Sequence, residues 1–158
     1  MTGDEFTRRI DVLRPTLYRV CRAQLSSAAD REDAVQEAVL RAWQKRNSLK
    51  DERYFGTWFI RILINECHNL QRQRRRLLAM ETPPERPSPQ GDDAARLNDA
   101  LAALEEKQRM CVLLHYIEGY SVKETARMLG IGESAAKARL MRGRRQLKEL
   151  LSEEVFGE

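Results

Sequence analysis

Six cations stand between residues 137 and 148: Lys137, Arg139, Arg142, Arg144, Arg145 and Lys148. A guanidinium presents paired N–H donors that fit a phosphate or the O6/N7 edge of guanine, and an ammonium holds phosphate as a point charge. The chemistry on offer is therefore recognition of nucleic acid, not bond making. Ser134 and Ala138 lie in the same stretch, and an alanine methyl can meet the methyl of thymine. By position, Glu133, Ser134, Lys137, Ala138 and Arg142 fall where a helix would face base edges, and Arg139, Arg144, Arg145 and Lys148 where it would hold phosphates.

These side chains need a helix to aim them, and the preceding residues specify one. Ser121 and Glu124 have the S-x-x-E spacing of a capping box. Ala126 and Leu129 give the short helix an apolar side, and Gly130 can end it in the left-handed conformation. Past Ile131 and Gly132 a second helix is expected, with Ala136, Leu140, Leu147 and Leu151 apolar at near-helical spacing. A capped helix, a glycine turn and a basic helix make the shape that enters a DNA major groove. A solvated amphipathic hairpin would explain each piece alone, but the combination favours DNA.

A second polar face lies upstream. Arg61, Asn65, Asn69, Arg72 and Arg76 recur at intervals of four, four, three and four. Asparagine can read bases and arginine can grip phosphate. Ile60, Ile62, Leu63, Ile64, Cys67 and Leu70 occupy much of the rest of that helix, and Trp58 begins its apolar stripe and reads as core. Tyr54-Phe55-Gly-Thr-Trp58 places aromatics beside basic residues, a combination that can stack unpaired bases. A third element, residues 30–43, is expected to be a helix capped by Asp30, with Val35, Ala38, Val39, Ala42 and Trp43 buried. Its opposite face carries Glu32, Asp33, Gln36, Glu37 and Arg41, which by pattern alone is a solvated surface or a docking face.

Enzyme chemistry finds no motif. The chain has no glycine-rich phosphate loop, no H-E-x-x-H and no G-x-S-x-G. Cys111 and His115 have an i, i+4 spacing that could seat a metal, but no C-x-x-C pair completes a site, so neither a metal nor a cofactor is expected. Three widely separated cysteines, Cys21, Cys67 and Cys111, argue for buried thiols over a disulfide framework. The 158 residues carry a formal net charge of +4, with 33% charged and 42% hydrophobic residues, a composition suited to a soluble helical protein. No apolar run reaches the roughly 18 residues that span a bilayer, and the acidic N-terminus is unlike a signal peptide. A cytoplasmic protein without membrane insertion is expected.

Pro83, Pro84, Pro87 and Pro89 fall between Thr82 and Gly91, where no large apolar residue occurs. This composition predicts a semi-extended linker over 79–93, joining a front domain (1–78) to a back domain (94–158). No stretch shows sustained alternation, so the fold class expected is all-α, two small helical domains on a flexible Pro-rich linker. In the front domain Phe6, Ile10, Leu13, Leu17, Val20 and Cys21 form one stripe, with Pro15 a point for a kink. In the back domain helices are expected around 94–104 and 106–117 ahead of the helix-turn-helix pair.

Taken in order, these elements resemble the extracytoplasmic-function (ECF) sigma factors of bacterial RNA polymerase over roughly residues 5–151. The carriers are Asp30-Arg-Glu-Asp-Ala-Val-Gln-Glu-Ala-Val-Leu-Arg-Ala-Trp43, Phe55-Gly-Thr-Trp-Phe-Ile-Arg-Ile-Leu-Ile-Asn65, Gly119-Tyr-Ser-Val-Lys-Glu-Thr-Ala126 and Lys137-Ala-Arg-Leu-Met-Arg-Gly-Arg-Arg145. The resemblance implies that a region 2 domain docks on the clamp helices of core RNA polymerase through Asp33, Gln36, Glu37 and Arg41. It implies that the same domain melts the −10 promoter element with the loop Lys50, Asp51, Glu52, Arg53 and Tyr54 and with Arg61, Asn65, Asn69, Arg72 and Arg76. It further implies a region 4 domain that reads the −35 element and sits on the polymerase flap, and an anti-sigma factor as a partner besides promoter DNA. Ala135-Ala136 stand where members often carry Thr-Val, and Ala138 where they carry Ser, which removes hydroxyls from the reading helix. Elements about 17 base pairs apart are separated by roughly 58 Å at about 3.4 Å per pair. About fifteen Pro-rich residues reach about 45 Å, so with the width of each domain one chain can bridge both elements. The rivals are a stand-alone helix-turn-helix regulator, which needs no second nucleic-acid face, and an interaction module that mimics a sigma factor, which needs no arginine cluster.

Overall fold

The structure, a computed structural model, describes residues 1–77 and 93–156, and side-chain surroundings for 1–77 and 96–152. The chain divides into two compact units, residues 1–85 and 86–158. Of the expected linker only Asp93 falls among the described residues, where it opens a helix, and residues 79–92 lie outside them. All described secondary structure is helical.

The first unit packs three helices, α1 (Gly3–Arg22), α2 (Ala28–Gln44) and α3 (Phe55–Leu77), with short 3-10 turns at Arg46–Ser48 and Glu52–Tyr54. Thr2 and Glu5 close a reciprocal capping box at the start of α1, and Pro15 lies inside the helix without ending it. The cap of α2 differs from expectation. Ser27, not Asp30, occupies the N-cap and accepts the Asp30 N–H through its hydroxyl. Asp30 is instead buried in the first turn, where Arg74 of α3 binds it through two nitrogens at 2.6 and 2.9 Å. The stripe α2 buries is also rotated from the expected one. Ala34, Ala38 and Ala42 point inward, and the larger Val35, Val39 and Trp43 are half-buried on its shoulder. Small side chains four apart let α2 lie close to its neighbours, and the bulkier residues seal the edges.

Phe55 opens α3 and Phe59, Ile60, Leu63, Ile64 and Cys67 fill the centre. Trp58, expected in the core, is half-buried beside Phe55. Phe6, Trp43 and Phe55 meet edge to face at 5.2 and 5.8 Å, joining all three helices at one end.

The second unit contains α4 (Asp93–Ala103), α5 (Glu106–Val112, continued by a π-helical turn over Leu113–Ile117), α6 (Val122–Leu129) and α7 (Glu133–Phe156). Arg109 donates to the carbonyls of Leu101, Ala102 and Leu104 at 2.7 to 3.3 Å, which satisfies the C-terminal end of α4. Leu101, Leu104, Cys111, Val112 and Leu140 form the core, packed on by Val122, Leu129, Ile131 and Leu147. Gly143 explains how α5 and α7 approach. A Cβ there would stand 2.6 Å from Val112 Cγ2 and 3.4 Å from Gln108 Cβ, so only hydrogen fits.

Candidate nucleic-acid interface

In the second unit the Ser121 hydroxyl accepts the Glu124 N–H at 3.0 Å and caps α6. Gly130 ends α6 at φ 68°, the left-handed conformation that a residue with a Cβ adopts at a penalty of about 1 kcal/mol or more. After Ile131 and Gly132 α7 begins, and its inward stripe of Ala136, Leu140 and Gly143 fixes which residues face out. Ser134, Lys137, Ala138, Arg142, Arg144, Arg145 and Lys148 are all exposed.

Three details refine the expected set. Arg139 is half-buried and its guanidinium donates to the Cys111 thiol, so it braces α7 against α5. Arg144 reaches over the Tyr116 ring with 5.8 Å to the centroid, which holds its charge near the π-helical turn. Met141 is 62% exposed and lies on the outward stripe with Ser134, Ala138 and Arg145, a place that sequence reasoning passed over. The signal available was the helical period itself, which sets residues 134, 138, 141 and 145 on one line opposite Ala136, Leu140 and Gly143. Of the residues that depart from the usual ECF pattern, Ala136 is fully buried, so its change concerns packing, whereas Ala135 and Ala138 face outward.

In the first unit Arg61, Asn65, Arg72 and Arg76 are exposed along one side of α3, and Asn69 is half-buried at its edge. The Asn69 side-chain oxygen accepts from Arg72. On α2, Asp33, Gln36, Glu37 and Arg41 are exposed. A groove of about 460 Å³ runs between the two helices, with Asp33, Glu37 and Arg41 on one lip and Asn69, Arg72 and Arg76 on the other. The residues expected to dock on protein and part of those expected to touch DNA thus share one two-signed cleft.

Arg41 does more than line it. Its Nε lies 2.7 Å from Glu66 Oε1 and 3.3 Å from Glu37 Oε1. Glu66, whose side chain is 8% exposed, has its charge compensated by this contact from α2. Sequence reasoning missed Glu66 and Asp30 as structural carboxylates, since their partners lie far along the chain.

The Lys50 to Tyr54 loop is built by its own charges. Asp51 caps the 3-10 turn by accepting the Arg53 N–H at 3.0 Å and binds the Arg53 guanidinium at 2.8 Å. Hydrogen bonds from Arg53 hold the Asp51 carboxyl below the usual carboxylate range, and the Asp51 carboxylate in turn raises Arg53. Glu52 pairs with Arg9 of α1 at 2.9 Å, and Arg9 also donates to the Glu52 carbonyl at 3.0 Å. Lys50 and Tyr54 remain outward, with the Tyr54 side 50% exposed. Among the described residues no cluster of three or more His, Cys, Asp or Glu could hold a metal ion, and no helix is long and apolar enough to cross a membrane.

Residues 10–77 match the family Sigma-70 region 2, and residues 94–147 match Sigma-70, region 4. The ECF RNA polymerase sigma factor SigM of Mycobacterium tuberculosis is 34% identical over 141 residues, spanning 85% of this chain and 71% of the relative. The RNA polymerase sigma-E factor of Streptomyces coelicolor is 30% identical, spanning 93% of this chain and 86% of the relative. Among solved structures, the sigma factor RpoE in complex with the anti-sigma factor NepR from Bartonella quintana superposes with a TM-score of 0.79 at 27% identity, covering 94% of this chain and 97% of that one.

Proposed function

The chain belongs to the ECF sigma factors of RNA polymerase, and from that premise we propose how its residues divide the work of starting transcription. The protein directs promoter-specific initiation by RNA polymerase. The exposed face of α2, at Asp33, Gln36, Glu37 and Arg41, docks on the clamp helices of the core enzyme. The outward side of α3, at Arg61, Asn65, Asn69, Arg72 and Arg76, takes the −10 element together with Lys50, Tyr54 and the loop that Asp51, Glu52 and Arg53 shape. In the second unit Ser134, Lys137, Ala138 and Arg142 face the base edges of the −35 element. Arg144, Arg145 and Lys148 hold phosphates there, with Arg139 at the flank.

The observation that carries this reading is the convergence on α7. A capped helix, a left-handed glycine turn and a long helix with its cations outward are the parts of a major-groove reader. The work done is binding work. Extruding a base from the duplex takes on the order of a few kcal/mol, which capture of the unpaired strand and phosphate contacts can supply without covalent chemistry. The site of action is the cytoplasm, where the polymerase is. By analogy with the RpoE–NepR complex, an anti-sigma factor is a further partner. A stand-alone helix-turn-helix regulator is disfavoured because the first unit matches Sigma-70 region 2.

The test is transcription in vitro from fragmented genomic DNA, with transcript starts sequenced. Core enzyme plus this protein should give discrete starts downstream of a shared pair of elements, and neither component alone should. Starts that do not depend on the protein would refute the reading.

A further inference from the structure

Two thiols lie together inside the first unit. Cys21 is in the last turn of α1 and Cys67 in the middle of α3, and both are fully buried. Gln71 sets their register. Its side-chain nitrogen donates to the Gln24 carbonyl at 2.9 Å, which ties the end of α1 to α3 one turn beyond Cys67 and brings the two cysteines level. The two side chains are in hydrogen-bond contact. A cation stands close by: Arg31 donates to the carbonyls of Leu25 and Ser26, each at 2.9 Å, at the turn that follows Cys21. The Cys67 hydrogen bond and the Arg31 charge together hold the Cys21 thiol below its ordinary value despite its burial. The third cysteine, Cys111, belongs to the other unit, and burial pushes its thiol up.

We propose that Cys21 and Cys67 form a dithiol modification site at which a peroxide closes an intramolecular disulfide between α1 and α3. The Cys21 thiolate attacks one oxygen of hydrogen peroxide. An S–O bond forms, the O–O bond breaks, and the departing hydroxide takes up the thiol proton as water. The Cys67 sulfur then attacks the Cys21 sulfur. The S–S bond forms, the S–O bond breaks, and the second hydroxide leaves as water with the Cys67 proton. Two thiols lose two electrons and one peroxide gains them. Contact distance must shrink to about 2.05 Å for the bond, a movement taken up at the end of α1. A helix terminus is also the part of the core that opens at least cost, which gives the oxidant its way in. The new bond encloses all of α2 in a covalent loop. The site rests on the packing of the first unit and does not depend on what that unit binds.

The experiment treats the full-length protein with hydrogen peroxide at a dose that oxidises free cysteine in the same tube, then alkylates, digests and maps the thiols by mass spectrometry. The expected result is a Cys21 peptide joined to a Cys67 peptide, lighter by two hydrogens than the reduced pair and released by dithiothreitol, with Cys111 alkylated. Full alkylation of all three cysteines, a Cys111 oxidised ahead of the pair, or Cys21 carried to a sulfinic acid without linkage would each overturn the proposal. Cys67→Ala should abolish the linked species. The wild-type map decides the matter even if that variant folds poorly.

Discussion

At Arg41 two demands meet in one side chain. It faces the groove with Asp33 and Glu37, and it also compensates Glu66 at 2.7 Å. Arg41→Ala therefore reads as loss of stability as well as loss of docking, because a carboxylate only 8% exposed is left without its cation, at about 1–3 kcal/mol. Gln36→Ala, fully on the exposed face, should leave the unfolding midpoint unchanged and still weaken association with core polymerase. Equal loss of stability in both variants would contradict this separation. On α7 the proposed base-facing and phosphate-facing sets should be distinguished by salt and sequence. Arg142→Ala should weaken binding to the cognate −35 duplex by about 1–3 kcal/mol and relax its sequence preference, whereas Lys148→Ala should weaken all sequences alike and lower the salt slope by about one. Titration against cognate and scrambled duplexes at several salt concentrations separates them. Most of the exposed sets on α2, α3 and α7 were legible because the helical period separates an outward face from an inward one, but it did not place the border, where Asn69 and Arg139 are half-buried. The Arg41–Glu66 and Asp30–Arg74 pairs were not legible, since their members share no local pattern and, for Asp30 and Arg74, stand 44 residues apart.

Among the elements, α7 shows most plainly what a pattern leaves out. Its apolar positions predict a helix, but Gly143 in its interior looks like a defect worth about 0.5–1 kcal/mol of lost helix preference. Packing makes the same glycine a requirement, since a methyl group there would meet Val112 at 2.6 Å. Gly143→Ala is expected to destabilise the second unit by about 1–3 kcal/mol through overpacking, and Gly132→Ala, where the added methyl meets open space, should be close to neutral. Thermal unfolding of both variants checks the pair, and a Gly143→Ala protein as stable as wild type would contradict the packing. The shifted cap of α2 has a similar origin. Both Ser27 and Asp30 are good capping residues, and only the presence of Arg74 makes burial of Asp30 favourable. Helix identity was therefore readable throughout, while caps and exact inward stripes waited on what each helix touches.

At the scale of the whole molecule, the function proposed above gives each unit its own nucleic-acid face, the outward side of α3 in one and of α7 in the other. Opening and binding are then separable steps. Asn65→Ala should slow promoter opening while leaving closed-complex formation near wild type, and equal losses in both steps would remove Asn65 from the opening surface. The most direct measurement is permanganate reactivity of thymines around the −10 element of a promoter found by transcript mapping. Core polymerase together with this protein should make those thymines reactive, and neither should do so alone. Thymines that stay unreactive at a promoter the complex demonstrably occupies, or that react with the protein in the absence of polymerase, would contradict its assignment as the factor that brings the enzyme to a start site and opens it.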